Sequence, residues 1–166
     1  MSVPARAHWT KLNVVLHWLI VVLLIVQYLV SESMEGLWDA TTEGGPLTPE
    51  THFYGWVHII TGSVVLVAAA LRLADRLRNG RPPHSAAEPG WALLLSKVTH
   101  AAMYAVLLLM PALGLAAWLS GIDGLAQLHT LLWTPLLVLI GLHVLGALAQ
   151  QFYFRTNAIG RMTQLR

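Results

Sequence analysis

The sequence predicts an all-α membrane protein, a bundle of four transmembrane helices with both termini in the cytoplasm. Of its 166 residues, 56% are hydrophobic and only 11% are charged, which is far less charge than a soluble domain of this size carries. Four apolar runs each contain about 19 residues or more, and about 20 are needed to cross the hydrocarbon core as a helix. The predicted spans cover residues 12–30, 54–74, 97–119 and 125–152.

The distribution of basic residues predicts the orientation. All ten lie at the N-terminus, between spans two and three, or at the C-terminus: Arg6, Lys11, Arg72, Arg76, Arg78, Arg81, Lys97, Arg155, Arg161 and Arg166. The other two connections hold no Lys or Arg and six of the eight acids. By the positive-inside rule, both termini face the cytoplasm. The net charge of +2 therefore reflects membrane anchoring and does not indicate a nucleic-acid partner.

The four spans fill most of the chain, so residues 1–166 are expected to form a single membrane domain. The first apolar run is too long for a signal-peptide core and lacks a small-residue cleavage site, which indicates a retained helix. The segment from Ser31 to Phe53 is expected to be an outer loop. The short link "SGIDG" predicts that spans three and four are antiparallel neighbours. The absence of cysteine excludes disulfides, thiolate-bound iron–sulfur clusters and c-type haem.

Five of the eight histidines lie within or at the edge of a span: His17, His58, His100, His129 and His143. A polar side chain at such a position usually faces the interior of the bundle. His58 and His129 each lie four residues past the outer start of a span, and His17 and His143 lie near the cytoplasmic side. The sequence thus predicts two histidine pairs, one in each leaflet.

Span four contributes to both pairs, and its spacing allows this. Fourteen residues separate His129 from His143, a rise of about 21 Å and just under four turns, so that both imidazoles point from one face. Two imidazoles on facing helices can clamp the iron of a haem. We interpret Gly62, Gly141 and Gly146 as space for the porphyrin beside its ligands.

Other interpretations of these histidines exist. Each imidazole could simply hydrogen-bond to a neighbouring helix, with the glycines allowing close packing. Imidazole could also bind zinc or copper. However, the predicted spans contain no cysteine or acidic residue that could complete such a site, and closed zinc sites usually have four ligands. The depth-matched pairs therefore favour haem b, held by His17 with His143 and by His58 with His129.

Two further residues near the cytoplasmic side have several possible roles. His100, at the start of span three, could replace His17 as a ligand, bond a haem propionate, line a quinone pocket, or be an ordinary interfacial residue. Arg72 could pair with a propionate, although positive-inside anchoring explains it equally well.

Four segments together resemble the bacterial cytochrome b561 family: "VLHWLIVVLLIVQYLV", "FYGWVHIITGSVVLVAAALRL", "THAAMYAVLLLMPALGL" and "IGLHVLGALAQQFYFRTNAIGRM". The resemblance implies a bacterial inner-membrane protein in which four helices hold two b-type haems, with His17 and His143 as the inner ligands and His58 and His129 as the outer ones. It also implies electron exchange with ubiquinone, and some members of the family oxidise superoxide.

Three features depart from that family. The link between spans three and four is short, and the outer connections carry six acids, a field that repels an anion such as superoxide. Gln150 and Gln151 stand where some relatives have paired histidines, so quinone contacts at these two residues would be altered.

The expected function is therefore transmembrane electron transfer with quinone; the sequence does not identify the electron donor, for which a periplasmic redox protein and superoxide are candidates. One alternative is a cytochrome b anchor and electron conduit for a larger dehydrogenase, whose basic surface would dock on the acidic outer face. A second alternative is a haem-free transporter that uses the intramembrane histidines for protons or metal ions.

Overall fold

The computed structural model describes residues 8–80, 82–83 and 88–163, and every regular element within these ranges is helical. The long helices are α1 (Lys11–Thr42), α2 (Pro49–Asn79) and α3 (Gly90–Ser120). They are followed by α4 (Asp123–Leu131), α5 (Trp133–Leu148), a π-helical turn (Ala149–Tyr153) and α6 (Ala158–Thr163). Four units are long and apolar enough to cross a membrane, namely α1, α2, α3 and the combined segment Asp123–Tyr153. The predicted all-α, four-span architecture is confirmed.

The first two helices extend well beyond the predicted spans. With 32 residues, α1 is about 48 Å long, whereas the hydrocarbon core measures about 30 Å. The expected outer loop over 31–53 is wrong, because α1 continues to Thr42 and α2 begins at Pro49. Thr48 caps α2 by accepting a hydrogen bond from the Thr51 amide, and Pro49 occupies the first turn, where its missing N–H costs nothing.

Two glycines explain why the extension of α1 packs against α2. A Cβ placed on Gly55 would lie 2.5 Å from Cδ2 of Leu37, and one on Gly36 would lie 2.9 Å from Cγ2 of Thr51. Leu37 is accordingly only 2% exposed. The segment has too few apolar residues for a core of its own, and the contact of Leu37 with Gly55 extends the packing of α1 on α2 into it.

The fourth span is interrupted at Leu132, between α4 and α5. Pro135 has no N–H to donate to the carbonyl of Leu131, and this loss weakens the helix at that turn. His129 and His143 consequently lie on two different helices, one on each side of the interruption.

All four spans contribute to one apolar core: Leu16, Ile20, Val65, Ala68, Ala69, Leu107 and Leu136. Outside it, many large apolar side chains are exposed, such as Leu29 (71%), Leu77 (75%) and Leu145 (65%). Such a surface would be a liability in water, and it suits a protein whose exterior contacts lipid.

Replacing Gly55 by alanine tests the packing of α1 on α2. The added Cβ would overlap Leu37, and overpacking of this kind typically costs about 1–3 kcal/mol. We expect a lower melting temperature in detergent, followed by circular dichroism. Gly90→Ala is the matched control, because a Cβ at Gly90 meets no atom within 4 Å. Equal melting temperatures for the two variants would contradict the packing described here.

Candidate functional site

The outer pair, His58 and His129, forms where α2 faces α4. The two ring centroids are 6.1 Å apart and the ring planes cross at 78°. Nδ1 of His129 lies 2.7 Å from the carbonyl oxygen of Met110 on α3. A carbonyl only accepts, so Nδ1 carries the proton and donates it. The lone pair of His129 is then on Nε2, the nitrogen left to bind a metal.

A second set of hydrogen bonds fixes the turn of α2 that carries His58. Nε2 of Gln27 on α1 donates to the His58 carbonyl (2.8 Å) and to Oγ1 of Thr61 (2.7 Å). Nδ1 of His58 is buried and has no hydrogen-bond partner among the described residues. A buried imidazole nitrogen without a partner is costly. The ring of His58 therefore calls for a bound group as a partner, since the described helices supply none.

A cavity of about 700 Å³ surrounds the outer pair, within the usual 300–1,000 Å³ range of cofactor and ligand sites. Its lining includes His58, His129 and Gly62. The extended part of α1 adds three acidic side chains to the wall: Glu32, Glu35 and Asp39. The cavity thus combines an apolar interior, two facing imidazoles and a negatively charged wall.

The inner pair, His17 on α1 and His143 on α5, repeats the outer geometry. Its ring centroids are also 6.1 Å apart, with the planes crossing at 70°. His100 on α3 lies beside this pair, with its ring centroid 5.1 Å from that of His143. Nδ1 of His100 donates to the Ser96 carbonyl at 2.6 Å, which sets the orientation of its ring. The helices therefore bring His17 to His143 and place a third imidazole next to them.

Arg72 is buried near the inner pair and is held by Asn13. Nε of Arg72 donates to Oδ1 of Asn13 at 3.1 Å, and Nδ2 of Asn13 donates to the Arg72 carbonyl at 3.2 Å. Asn13 also donates to Asp75, which accepts a further bond from Thr10. This network joins the start of α1 to the end of α2 and holds the guanidinium of Arg72 in a buried position.

The three predicted haem-contact glycines lie in different surroundings. Gly62 lines the outer cavity, and a Cβ there would lie 3.3 Å from Nε2 of Gln27. Gly141 and Gly146 are exposed, and a Cβ on either would meet no atom within 4 Å. Gly62 is thus packed closely against Gln27 whereas Gly141 and Gly146 are open, and the contact of each with a porphyrin stays a prediction.

Gln150 and Gln151 make hydrogen bonds within the chain. Nε2 of Gln150 donates to Glu88 at 2.6 Å, and Oε1 of Gln151 accepts from the Ile159 amide at 3.2 Å, near the start of α6. Both residues therefore have structural partners, and their role as quinone contacts remains a prediction.

Sequence reasoning missed three residues that shape these sites: Asn13, Gln27 and Gly114. Asn13 and Gln27 are single polar residues in the apolar first helix, and that isolation was the available signal. Gly114 follows Pro111 on α3, and a Cβ there would lie only 2.8 Å from Nδ1 of His129. A glycine alone in a membrane helix is common, so its role becomes visible only once α4 is placed.

Comparison with known proteins identifies the chain's relatives. The family model described as prokaryotic cytochrome b561 matches residues 8–164. The chain belongs to this family. It is therefore a multi-pass bacterial membrane protein that carries haem b and transfers electrons. A cytochrome b562 of Cereibacter sphaeroides is 29% identical over 158 residues, which cover 95% of this chain and 96% of that protein. This membership does not support the alternative of a haem-free transporter.

The two histidine pairs fit the cofactor that a cytochrome b561 implies. A metal–imidazole bond of about 2.0 Å on each side, plus about 1.1 Å from each nitrogen to its ring centre, separates opposed ring centroids by roughly 6.2 Å. Both pairs show 6.1 Å. Among the described residues, no group of three or more His, Cys, Asp or Glu side chains could hold a metal ion. Two ligands suffice when a porphyrin supplies the other four nitrogens.

Replacing Asn13 by alanine tests the Arg72 network. Nε of Arg72 would lose its partner in a buried position, a loss that costs about 1–3 kcal/mol. We expect a lower melting temperature in detergent. Asn79→Ala is the matched control, because Asn79 also donates to Asp75 but not to Arg72. If Asn79→Ala destabilised the protein as much as Asn13→Ala, the network would have no special role.

Proposed function

We propose that this cytochrome b561 binds two haems b and passes electrons between the two sides of the membrane. The observation that supports it is the repeated geometry of the outer and inner pairs, each with ring centroids 6.1 Å apart. In this proposal His58 and His129 would hold the iron of the outer haem, and His17 and His143 would hold that of the inner haem. Haem b, when bound, supplies one-electron redox chemistry.

The chain's own residues would set up that chemistry. The Met110 carbonyl orients His129, and the Ser96 carbonyl orients His100 next to His143. With both imidazoles of each pair holding a haem, the protein would supply ligation and burial, and the haem would supply one-electron transfer. Fourteen residues separate His129 from His143, and at 1.5 Å per residue a continuous helix would set the two sites about 21 Å apart along span four. Transfer over this distance would carry charge across much of the membrane.

A quinone is the proposed electron partner on the inner side. The exterior is apolar along all four spans, so a lipid-soluble carrier can reach the bundle from the bilayer. Ubiquinone is the quinone that the family resemblance implies. His100 beside the inner pair is the proposed contact, and Gln150 and Gln151 are candidates at the same end of the bundle. Arg72 supplies a positive charge there, suited to a haem propionate.

The outer cavity suggests which electron donors are favoured. Glu32, Glu35 and Asp39 line its wall, and their negative field would repel superoxide and attract a cation. This observation favours the second candidate function, in which the protein is an electron conduit for a partner with a basic surface. Superoxide oxidation is the less favoured proposal for the outer site.

Histidine variants test the assignment of ligands. Reduced-minus-oxidised absorption spectra should show that His17→Ala or His143→Ala alters one haem, and that His58→Ala or His129→Ala alters the other. His52→Ala is the control, because His52 is exposed and its ring lies beside Trp56 rather than in either pair. Loss of a haem in His100→Ala without a loss in His17→Ala would show that the inner pair is assigned wrongly.

Reporter fusions test the proposed orientation in the inner membrane. Basic residues flank the α2–α3 connection, and acids flank the other two connections, so alkaline phosphatase inserted after Gly45 should be active and one inserted after Pro83 inactive. A fluorescent protein at the C-terminus should fluoresce, which requires a cytoplasmic location. The reverse pattern would place the termini outside.

A further inference from the structure

We propose that α3, which supplies no axial ligand, fixes the orientation of the outer ligand His129 through the Met110 carbonyl, and that Gly114 is the positioning residue that allows it. The inference rests on the proposed function, since it takes His129 to be an axial ligand. It goes beyond that function because it gives α3 a specific part in tuning one haem and not the other.

The contact depends on how closely α4 approaches α3. Nδ1 of His129 is 2.7 Å from the Met110 oxygen, and Cε1 of the same ring would be 2.9 Å from a Cβ on Gly114. Met110 and Gly114 are four residues apart, one turn of α3, so that carbonyl and glycine form one surface against the imidazole. Any side chain at 114 would push the ring away from the carbonyl.

The hydrogen bond sets the tautomer as well as the orientation. Because Nδ1 donates to a carbonyl, the lone pair is on Nε2, and the ring of His58 lies 6.1 Å away between centroids. A ligand imidazole that donates its other N–H to a carbonyl is more basic and a stronger electron donor to the metal. Such a bond stabilises the oxidised metal and therefore lowers the reduction potential of that haem.

The other three proposed ligands lack this partner. Nδ1 of His58 has no hydrogen bond among the described residues, and no ring hydrogen bond of His17 or His143 occurs in the same part of the chain. His129 is thus the one proposed ligand in these ranges with a protein acceptor. Met110 and Gly114 should therefore influence the spectrum of the outer haem and leave that of the inner haem unchanged.

Gly114→Ala tests the proposal in the haem-loaded protein. We expect the outer haem to titrate at a higher reduction potential with altered low-spin electron paramagnetic resonance g values, or to fall below one equivalent per chain. The inner haem should keep its wild-type potential and signal, which shows that the variant is folded. Gly124→Ala on α4 is the matched control, because its Cβ would meet no atom within 4 Å. Wild-type signals from both haems of Gly114→Ala would overturn the proposal.

A measurement on the otherwise unchanged chain covers the case in which Gly114→Ala loses both haems. Redox-difference infrared spectra of protein labelled with 1-¹³C-methionine should contain a carbonyl band that shifts with the label, because reduction of the outer haem weakens the His129 hydrogen bond. Met110→Leu keeps the backbone carbonyl but removes its label, so the shift should disappear. A label shift that persists in Met110→Leu, or no shift at all, would overturn the proposal.

These outcomes are distinct from failure of the proposed function. If the wild-type protein contained fewer than two haems, that failure would be visible before any substitution was made. The proposal for Gly114 and Met110 fails when two haems are present in the wild-type protein and either the outer haem is unchanged by Gly114→Ala or the methionine label gives no shift that Met110→Leu removes.

Discussion

The rest of the structure depends on one constraint: two imidazoles must face each other inside an apolar helix bundle. An imidazole among lipid-facing helices needs a partner for each nitrogen, because water is not there to supply one. Both pairs place their rings 6.1 Å apart, too far for a direct bond between opposed nitrogens and right for a metal between them. In each pair, the helices thus hold two histidine rings on opposite sides of a gap.

The spans divide the work unequally. Helices α1 and α2 each supply one proposed ligand, and the fourth span supplies two, His129 and His143. Its interruption at Leu132 separates His129 from His143, so that each ring can be set by its own neighbours. Helix α3 supplies hydrogen-bond acceptors at both ends, Met110 to His129 and Ser96 to His100. Carbonyl groups of α3 therefore orient two histidine rings, that of His129 on α4 and that of His100 on α3 itself.

The pairing of the histidines followed from sequence because it depends on two simple quantities, depth and helical periodicity. His58 and His129 have the same predicted depth, and fourteen residues of an unbroken helix are close to a whole number of turns. The predicted number of spans was also correct, because a helix that crosses the bilayer needs an apolar run of about 20 residues and such runs are visible in the sequence. The family resemblance gave the same pairs independently.

The features that sequence did not reveal depend on contacts between helices. The extension of α1 to Thr42 is stabilised by the packing of Leu37 against Gly55. Nothing in the sequence around either residue predicts that the two are in contact. Gly114 and Gln27 act on the outer pair from α3 and α1, and their roles follow from distances that only the assembled bundle has. The cavity wall of Glu32, Glu35 and Asp39 likewise arises because α1 remains helical where a loop was expected.

The most direct measurement of the central claim is the haem content of the purified, fully loaded protein. The pyridine haemochrome spectrum gives the concentration of haem b, and quantitative amino-acid analysis of the same sample gives the concentration of polypeptide. Two haems per chain is the expected ratio, because each histidine pair would hold one. A ratio that saturates at one would mean that one of the two pairs is not a haem site.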